Sequence, residues 1–318
     1  MTTISEDALG DFRRITLANG IVRAQFLPEL GGKMTSLVRI ATAHEFLLQP
    51  QRTLRRASYG DAFHDYDTSG FDECMPTVSA CHYPEGGQSL PDHGELWSVP
   101  WDAQIVGEQL RLWAEGRAVP YRLEKAVHLE AGDIVVNYGL MNDSDADLKF
   151  LWSAHPLLTV EAGSRITLPS NVDELFVSYS FRNRLGSFGG PCGWPTVRTG
   201  GGEEQIDTVR PPSVGFADKL FTSRVNRGYC ALYKPESNES ISFRFDPTMV
   251  PYIGVWICQG GWPDLAHGQY TVALEPCTGR PDSLAMAIAR GENDFLRARE
   301  SKYWTLRLSV RPGPPHSL

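Results

Sequence analysis

The strongest constraint on this chain is its rhythm after His93. Apolar residues fall at alternate positions in short runs, and Pro, Gly or Asp interrupts most of them. Glu95–Val99, Asp102–Val106, Gln109–Glu115, Tyr121–Glu130 and Asp133–Met141 read as consecutive strands. Their breaks fall at Pro100, Gly107, Gly116, Pro120, Ala131-Gly132 and Asn142-Asp143-Ser144-Asp145. In Tyr121–Glu130 the inward set is Tyr121, Leu123, Val127 and Leu129. Arg122, Glu124, His128 and Glu130 point outward, so His128 reads as solvent-facing. A period of two places one face in a core, and a helix with this pattern would scatter its apolar residues round the surface.

The rhythm extends through most of the chain. Asn19-Gly20 is a hairpin signal between Phe12–Leu17 and Ile21–Leu27. Lys33–Ile40 and Glu45–Gln49 read as strands, followed by Ile166–Leu168, Leu175–Ser178, Phe216–Ser223, Gly228–Lys234, Ser240–Asp246, Pro251–Cys258, Gln269–Glu275 and Tyr303–Arg311. Phe150-Leu151-Trp152-Ser153-Ala154-His155-Pro156 reads as a strand that carries a histidine to its end, stopped by Pro156. Helical pattern is confined to Asp282–Arg290 and Asn293–Glu300. The predicted fold class is all-β: one domain over 1–318, a large antiparallel β-sandwich with one or two short helices. Two long irregular stretches, 52–90 and 181–205, read as functional or mobile loops. The second is glycine-rich but lacks the G-x-x-x-x-G-K-[ST] pattern of a phosphate cradle.

Composition narrows the partners. Hydrophobic residues at 42% and charged residues at 21% supply a large core and argue against disorder. A net charge of -8 disfavours a nucleic-acid backbone, and the basic spots Arg55-Arg56 and Arg182 with Arg184 are too small for a binding stripe. No apolar run is long enough to span a membrane, and the acidic start of the chain does not read as a secretory signal. Six scattered cysteines without a C-x-x-C pair read as reduced thiols in a cytoplasmic protein. A monomer or homodimer is expected, with no nucleic-acid or membrane partner.

Three predicted strand ends carry polar groups that could converge. They are Asp92-His93-Gly94-Glu95, Ala154-His155-Pro156 and Leu274-Glu275-Pro276. Two histidines and a glutamate suit general acid/base work near neutral pH. The same residues allow a metal reading, in which His93 and Glu95 share a strand face and His155 and Glu275 complete four ligands. Neither a His-x-His pair nor a His-Glu-x-x-His helix supports it, and no Gly-x-Ser-x-Gly marks a nucleophile. Trp256 and Trp262 flank Gln259-Gly260-Gly261. A ring there can stack on a sugar face while Gln259 takes hydroxyls.

Together these stretches resemble the aldose 1-epimerase (galactose mutarotase-like) superfamily. The resemblance runs in order through Leu27-Pro28-Glu29-Leu30-Gly31-Gly32-Lys33, Asp92-His93-Gly94-Glu95 with Pro100-Trp101, Ala154-His155-Pro156, and Leu274-Glu275-Pro276 with Pro281-Asp282. It implies a large antiparallel β-sandwich that interconverts the α and β anomers of a free sugar without a cofactor. It implies Glu275 as base, His155 as acid, and His93 as a group holding the ring oxygen or a nearby hydroxyl. Ala217-Asp218-Lys219-Leu220-Phe221 is similar to a family segment whose aspartate binds sugar, which points to Asp218. The family's substrate-binding arginine has no obvious counterpart. Asp72-Glu73 occupies that neighbourhood, which favours a neutral over a phosphorylated substrate. The surroundings of His155 differ from the family's Asn-x-x-x-His-x-Tyr-Phe-Asn and leave the sugar open. Two other readings stand beside the epimerase: a non-catalytic carbohydrate-binding protein on the same fold, and a metal-dependent sugar isomerase or lyase.

Overall fold

The computed structural model describes residues 1–83 and 87–315. Alternating apolar residues build two large antiparallel sheets. The first has twelve strands. Across it run Thr3–Leu9, Phe12–Ala18, Val22–Leu27, Lys33–Arg39, Phe71–Cys74, Ser153–Thr159, Tyr270–Cys277, Tyr252–Gln259, Phe216–Thr222, Glu174–Ser180 and Pro191–Gly193, with His44–Glu45 paired beside Lys33–Arg39. The second has eight, from Arg165–Thr167 through Tyr229–Lys234, Glu239–Phe245, Ser301–Pro312, Asp133–Asn142, Tyr121–Glu130 and Gln109–Glu115 to Asp102–Val106. One hydrophobic cluster draws on both sheets. Leu220, Val255 and Leu274 come from the first; Leu123, Val136 and Leu306 come from the second. This is the expected β-sandwich, and removing such side chains from water is the main force that holds the two sheets together.

Each strand of the large sheet that lines this core turns its alternate residues to the opposite face. Val272 and Leu274 enter the core, so Ala273 and Glu275 face away. Leu220 enters the core, so Lys219 and Phe221 face away; Val255 and Ile257 leave Gly254 and Trp256 on that outer face. The candidate site lies on this face.

Several local expectations change. The Phe150–Pro156 stretch is two elements, Leu148–Phe150 and Ser153–Thr159, and Pro156 lies inside the second. Its missing donor is tolerated because the ladder to Tyr270–Cys277 is open there, between the pairs Ser153↔Cys277 and Leu157↔Ala273. Glu95–Val99 is not a strand. Gly94 at φ +72° turns the chain, and a 3-10 turn over Leu96–Ser98 follows. Asn293–Glu300 is not a helix. Asp294–Leu296 extends to pair with Leu148–Phe150, a tertiary contact that outweighs a weak local preference. The other expected helix is present as Leu284–Arg290, capped by the Ser283 side chain. Strands Thr3–Leu9 and Phe71–Cys74 were not apparent from sequence, and the second runs through the supposedly irregular 52–90 stretch. Residues 84–86 of that stretch lie outside the described residues. The 181–205 stretch holds three short strands, Pro191–Gly193, Thr196–Thr199 and Gly202–Gln205. Among the described residues no helix is long and apolar enough to cross a membrane, and all six cysteines are free.

Candidate active site

Register brings the first two groups together. Ser153↔Cys277 and Leu157↔Ala273 bracket the open section of ladder, and counting inward from either places His155 opposite Glu275. Both side chains point to the outer face, and both are buried: Glu275 is 0% exposed and His155 6%. On its other flank Glu275 pairs with Gly254, where a Cβ would sit 3.2 Å from Glu275 Oε2. Glycine therefore makes room for the carboxylate.

His93 arrives from a turn. Its own φ is +59° and that of Gly94 is +72°, and a Cβ at Gly94 would lie 2.3 Å from the Met75 carbonyl oxygen. Only glycine fits there without displacing the backbone. The His93 ring stacks on Phe63 with centroids 3.8 Å apart, and its Nδ1 lies 3.0 Å from Asp92 Oδ2. It meets His155 edge to face, with centroids 5.0 Å apart.

These side chains line a cavity of about 220 Å³. Trp256 and Trp262 stand at right angles with centroids 6.1 Å apart, and Tyr179 lies 6.3 Å from Trp256. Together they give the cavity an aromatic lining alongside the histidines and Phe63. The polar lining adds Lys219, Gln269 and Asp282. Lys219 Nζ donates to Glu275 Oε2 and lies 3.5 Å from Asp282 Oδ1. Ser153 Oγ also reaches Glu275 Oε2, at 3.3 Å.

Charge states follow from burial and neighbours. Burial pushes the Glu275 carboxyl above its ordinary value, against the pull of the Lys219 ammonium. Burial opposes the charge on Lys219, but Glu275 and Asp282 outweigh it and raise its pKa. Burial, then His93, Lys219 and Lys33, hold His155 well below the ordinary histidine value, so its imidazole is neutral near pH 7. Three buried polar atoms of cavity-lining residues have no partner: Glu275 Oε1, His155 Nδ1 and Gln269 Oε1; a fourth, Asp282 Oδ1, makes no hydrogen bond and has the Lys219 ammonium at 3.5 Å. Orphaned buried polar atoms are rare in folded proteins, and three in one cavity mark a place for a polar ligand.

The structure thus gathers Glu275, His155, His93 and Trp256 into one cavity. The other sequence candidates lie outside its lining. Asp218 is fully buried and accepts from Ser180 Oγ (2.7 Å) and Arg184 Nε (2.9 Å). Gln259 uses its Oε1 to accept from the backbone N–H of Arg210 at 3.1 Å. Asp72 shares the face of His155, to which it is paired, but is buried outside the cavity lining, 3.3 Å from Lys33 Nζ. Burial, eased by Lys33, pushes Asp72 up to about 6. Glu73 points the other way, into the core, and accepts from Lys125 Nζ (3.1 Å), Tyr138 OH (2.9 Å) and Trp152 Nε1 (3.0 Å). Its role there is structural.

The metal reading loses a ligand. Glu95 is buried and its Oε1 accepts from Tyr59 OH and the N–H groups of Arg117 and Ala118. It is absent from the cavity lining, so His93 and Glu95 do not present a joint face. Among the described residues no cluster of His, Cys, Asp and Glu has a metal-holding arrangement.

Sequence reasoning missed Lys219, Gln269, Phe63 and Tyr179 as lining residues. Asp282 was noticed only as part of a motif. For Lys219 a signal existed: with Leu220 directed to the core, the alternation puts Lys219, not Asp218, on the face of Glu275.

No protein-family model and no curated protein matches the chain. Solved structures do match in fold. A protein from Synechocystis sp. PCC 6803 has a TM-score of 0.70 at 15% identity, covering 98% of this chain and 100% of its own. A galactose mutarotase-like protein from Clostridium acetobutylicum has a TM-score of 0.71 at 14% identity, covering 98% and 99%. Another galactose mutarotase-like protein, from Lactobacillus casei, has a TM-score of 0.65 at 18% identity, covering 94% and 100%.

Proposed function

We propose that this chain, which has the galactose mutarotase-like fold, is an aldose 1-epimerase acting on a free, neutral sugar. The observation that carries the reading is the placement of Glu275 opposite His155 in a cavity where Glu275 Oε1, His155 Nδ1 and Gln269 Oε1 are buried without a partner. In this reading Glu275 Oε1 accepts the proton of the anomeric hydroxyl. Electrons from that O–H bond form the C1 carbonyl, the bond from C1 to the ring oxygen breaks, and the ring oxygen takes a proton from His155. His93 holds the ring oxygen or a neighbouring hydroxyl. Rotation about C1–C2 and the reverse transfers close the ring on the other face. The donor in this step is the protonated form of His155, which returns to the neutral imidazole as the ring oxygen takes its proton; burial, which lowers the pKa of that imidazolium, makes it a readier proton donor. Trp256 stacks on the apolar face of the sugar.

The charges support a neutral substrate. Asp92, Asp282 and Glu275 line the cavity, and Lys219 is occupied by two of them. An added phosphate or carboxylate would meet net negative charge.

Anomer exchange by NMR on a panel of freshly dissolved aldoses tests this. The expected result is acceleration with at least one sugar, and a loss of roughly 10²–10⁴-fold in Glu275→Gln with sugar binding retained. Sugar binding without acceleration across the panel would overturn the epimerase in favour of the carbohydrate-binding protein. Acceleration abolished by a chelator would favour the metal-dependent isomerase.

A further inference from the structure

Lys219 reaches Glu275 from a strand that is not its neighbour. Tyr252–Gln259 lies between Phe216–Thr222 and Tyr270–Cys277. Lys219 pairs with Trp256 on that middle strand, and Glu275 pairs with Gly254. Because position 254 carries no side chain, the ammonium crosses the middle strand to the carboxylate. Lys219 is itself fixed from behind. Asp282 Oδ1 lies 3.5 Å from Nζ, and Asp282 Oδ2 accepts from Ser178 Oγ at 2.6 Å. The Asp282 backbone carbonyl accepts from the N–H groups of Val78 and Ser79, both at 2.9 Å. The two oxygens of the Glu275 carboxylate are therefore treated differently. Oε2 takes Lys219 and Ser153, while Oε1 has no partner.

We propose that Lys219 is a positioning residue for Glu275: it ties down Oε2, keeps the group a carboxylate, and leaves Oε1 as the oxygen that accepts the substrate proton. This rests on the epimerase reading for the meaning of the proton, but the coupling of the two residues can be measured without turnover. A buried carboxyl whose cation is removed prefers its neutral, protonated form. Burial already pushes Glu275 in that direction, and Lys219 is the main opposing group. An ammonium held between two carboxylates stays charged, which makes it an anchor and excludes it as a nucleophile toward the open-chain aldehyde.

The test compares wild type with Lys219→Met, Lys219→Gln and Lys219→Arg. The first readout is the acid limb of kcat/KM for anomer exchange. In K219M and K219Q it should move to higher pH by about 1–3 units, the usual effect of an opposite charge at this range. K219R should restore the limb. The second readout is the ¹³C carboxyl titration of Glu275, assigned by its loss in E275Q, which needs no substrate. A titration that shifts in a protein inactive on every sugar would retain the Lys219 role and reject the epimerase. Superimposable titrations and limbs in wild type and K219Q would overturn the proposal, and K219Q serves if K219M does not fold.

Discussion

Gly254 lies directly across the ladder from Glu275, and a Cβ added there would meet Glu275 Oε2 and Phe221 Cε1, each at 3.2 Å. Its φ is outside the left-handed region, so alanine fits the backbone and the conflict is purely with the neighbours. Gly254→Ala should fold and melt close to wild type, because the strand keeps its ladder. The carboxylate must yield by a few tenths of an ångström, against the pull of Lys219. Catalytic groups tolerate such shifts poorly, with an ångström of misplacement costing up to about 10²-fold. The expected outcome is a fall in kcat for anomer exchange of roughly tenfold or more, with KM changed less. Unchanged kcat would show that the carboxylate position is not critical.

His155 gives the fold a dependence on acid. Burial, then His93, Lys219 and Lys33, hold its pKa well below the ordinary value, so the folded state resists a proton that the unfolded chain accepts below about pH 6.5. The unfolded state therefore binds more protons in the window from about 6.5 down to the lowered folded value, and stability falls as pH falls through it. Other groups titrate nearby, among them Asp72 at about 6, which contributes with the opposite sign because its folded pKa is raised. Comparing wild type with His155→Gln cancels the contributions that both proteins share. Denaturation midpoints should diverge above the window in favour of wild type and converge as pH drops to 5. A constant difference between the two proteins from pH 7.5 to 5 would contradict the buried neutral imidazole.

Much of this was legible in the sequence because alternation encodes face as well as strand. Leu274 in the core fixed Glu275 on the outer face, and Trp304, Leu306, Leu308 and Val310 line the core from the opposite sheet. The same rule, applied at Leu220, separates Lys219 from Asp218, whereas similarity to a family segment favoured Asp218. Phe71–Cys74 stayed hidden for a different reason. It is a four-residue strand buried on both faces, and its two central residues are carboxylates. Those are poor strand formers, stabilised here by Lys33 and Lys125 from distant parts of the chain. Phe63 reaches the cavity from a short 3-10 turn, and no period announces it, whereas Gln269 precedes its strand by one residue and the alternation already puts it on the face of Glu275.

Asp218 provides the sharpest test of where similarity and geometry part. It is fully buried, is absent from the cavity lining and is paired with Arg184, which also contacts Glu204 at 2.8 Å. Ser180 Oγ donates to it and also accepts the Leu185 N–H at 3.0 Å, so Asp218 anchors the start of the 181–205 segment. Removing one member of a buried ion pair costs about 3–5 kcal/mol. Partial exposure of Arg184 and its second partner place Asp218→Asn at or below the low end of that range. Urea denaturation should show this loss. Among the folded molecules at low urea, KM for the sugar should stay within about twofold of wild type, since uniform binding is untouched. A large rise in KM with unchanged stability would instead return Asp218 to the sugar, and would require the 181–205 segment to release it when substrate binds.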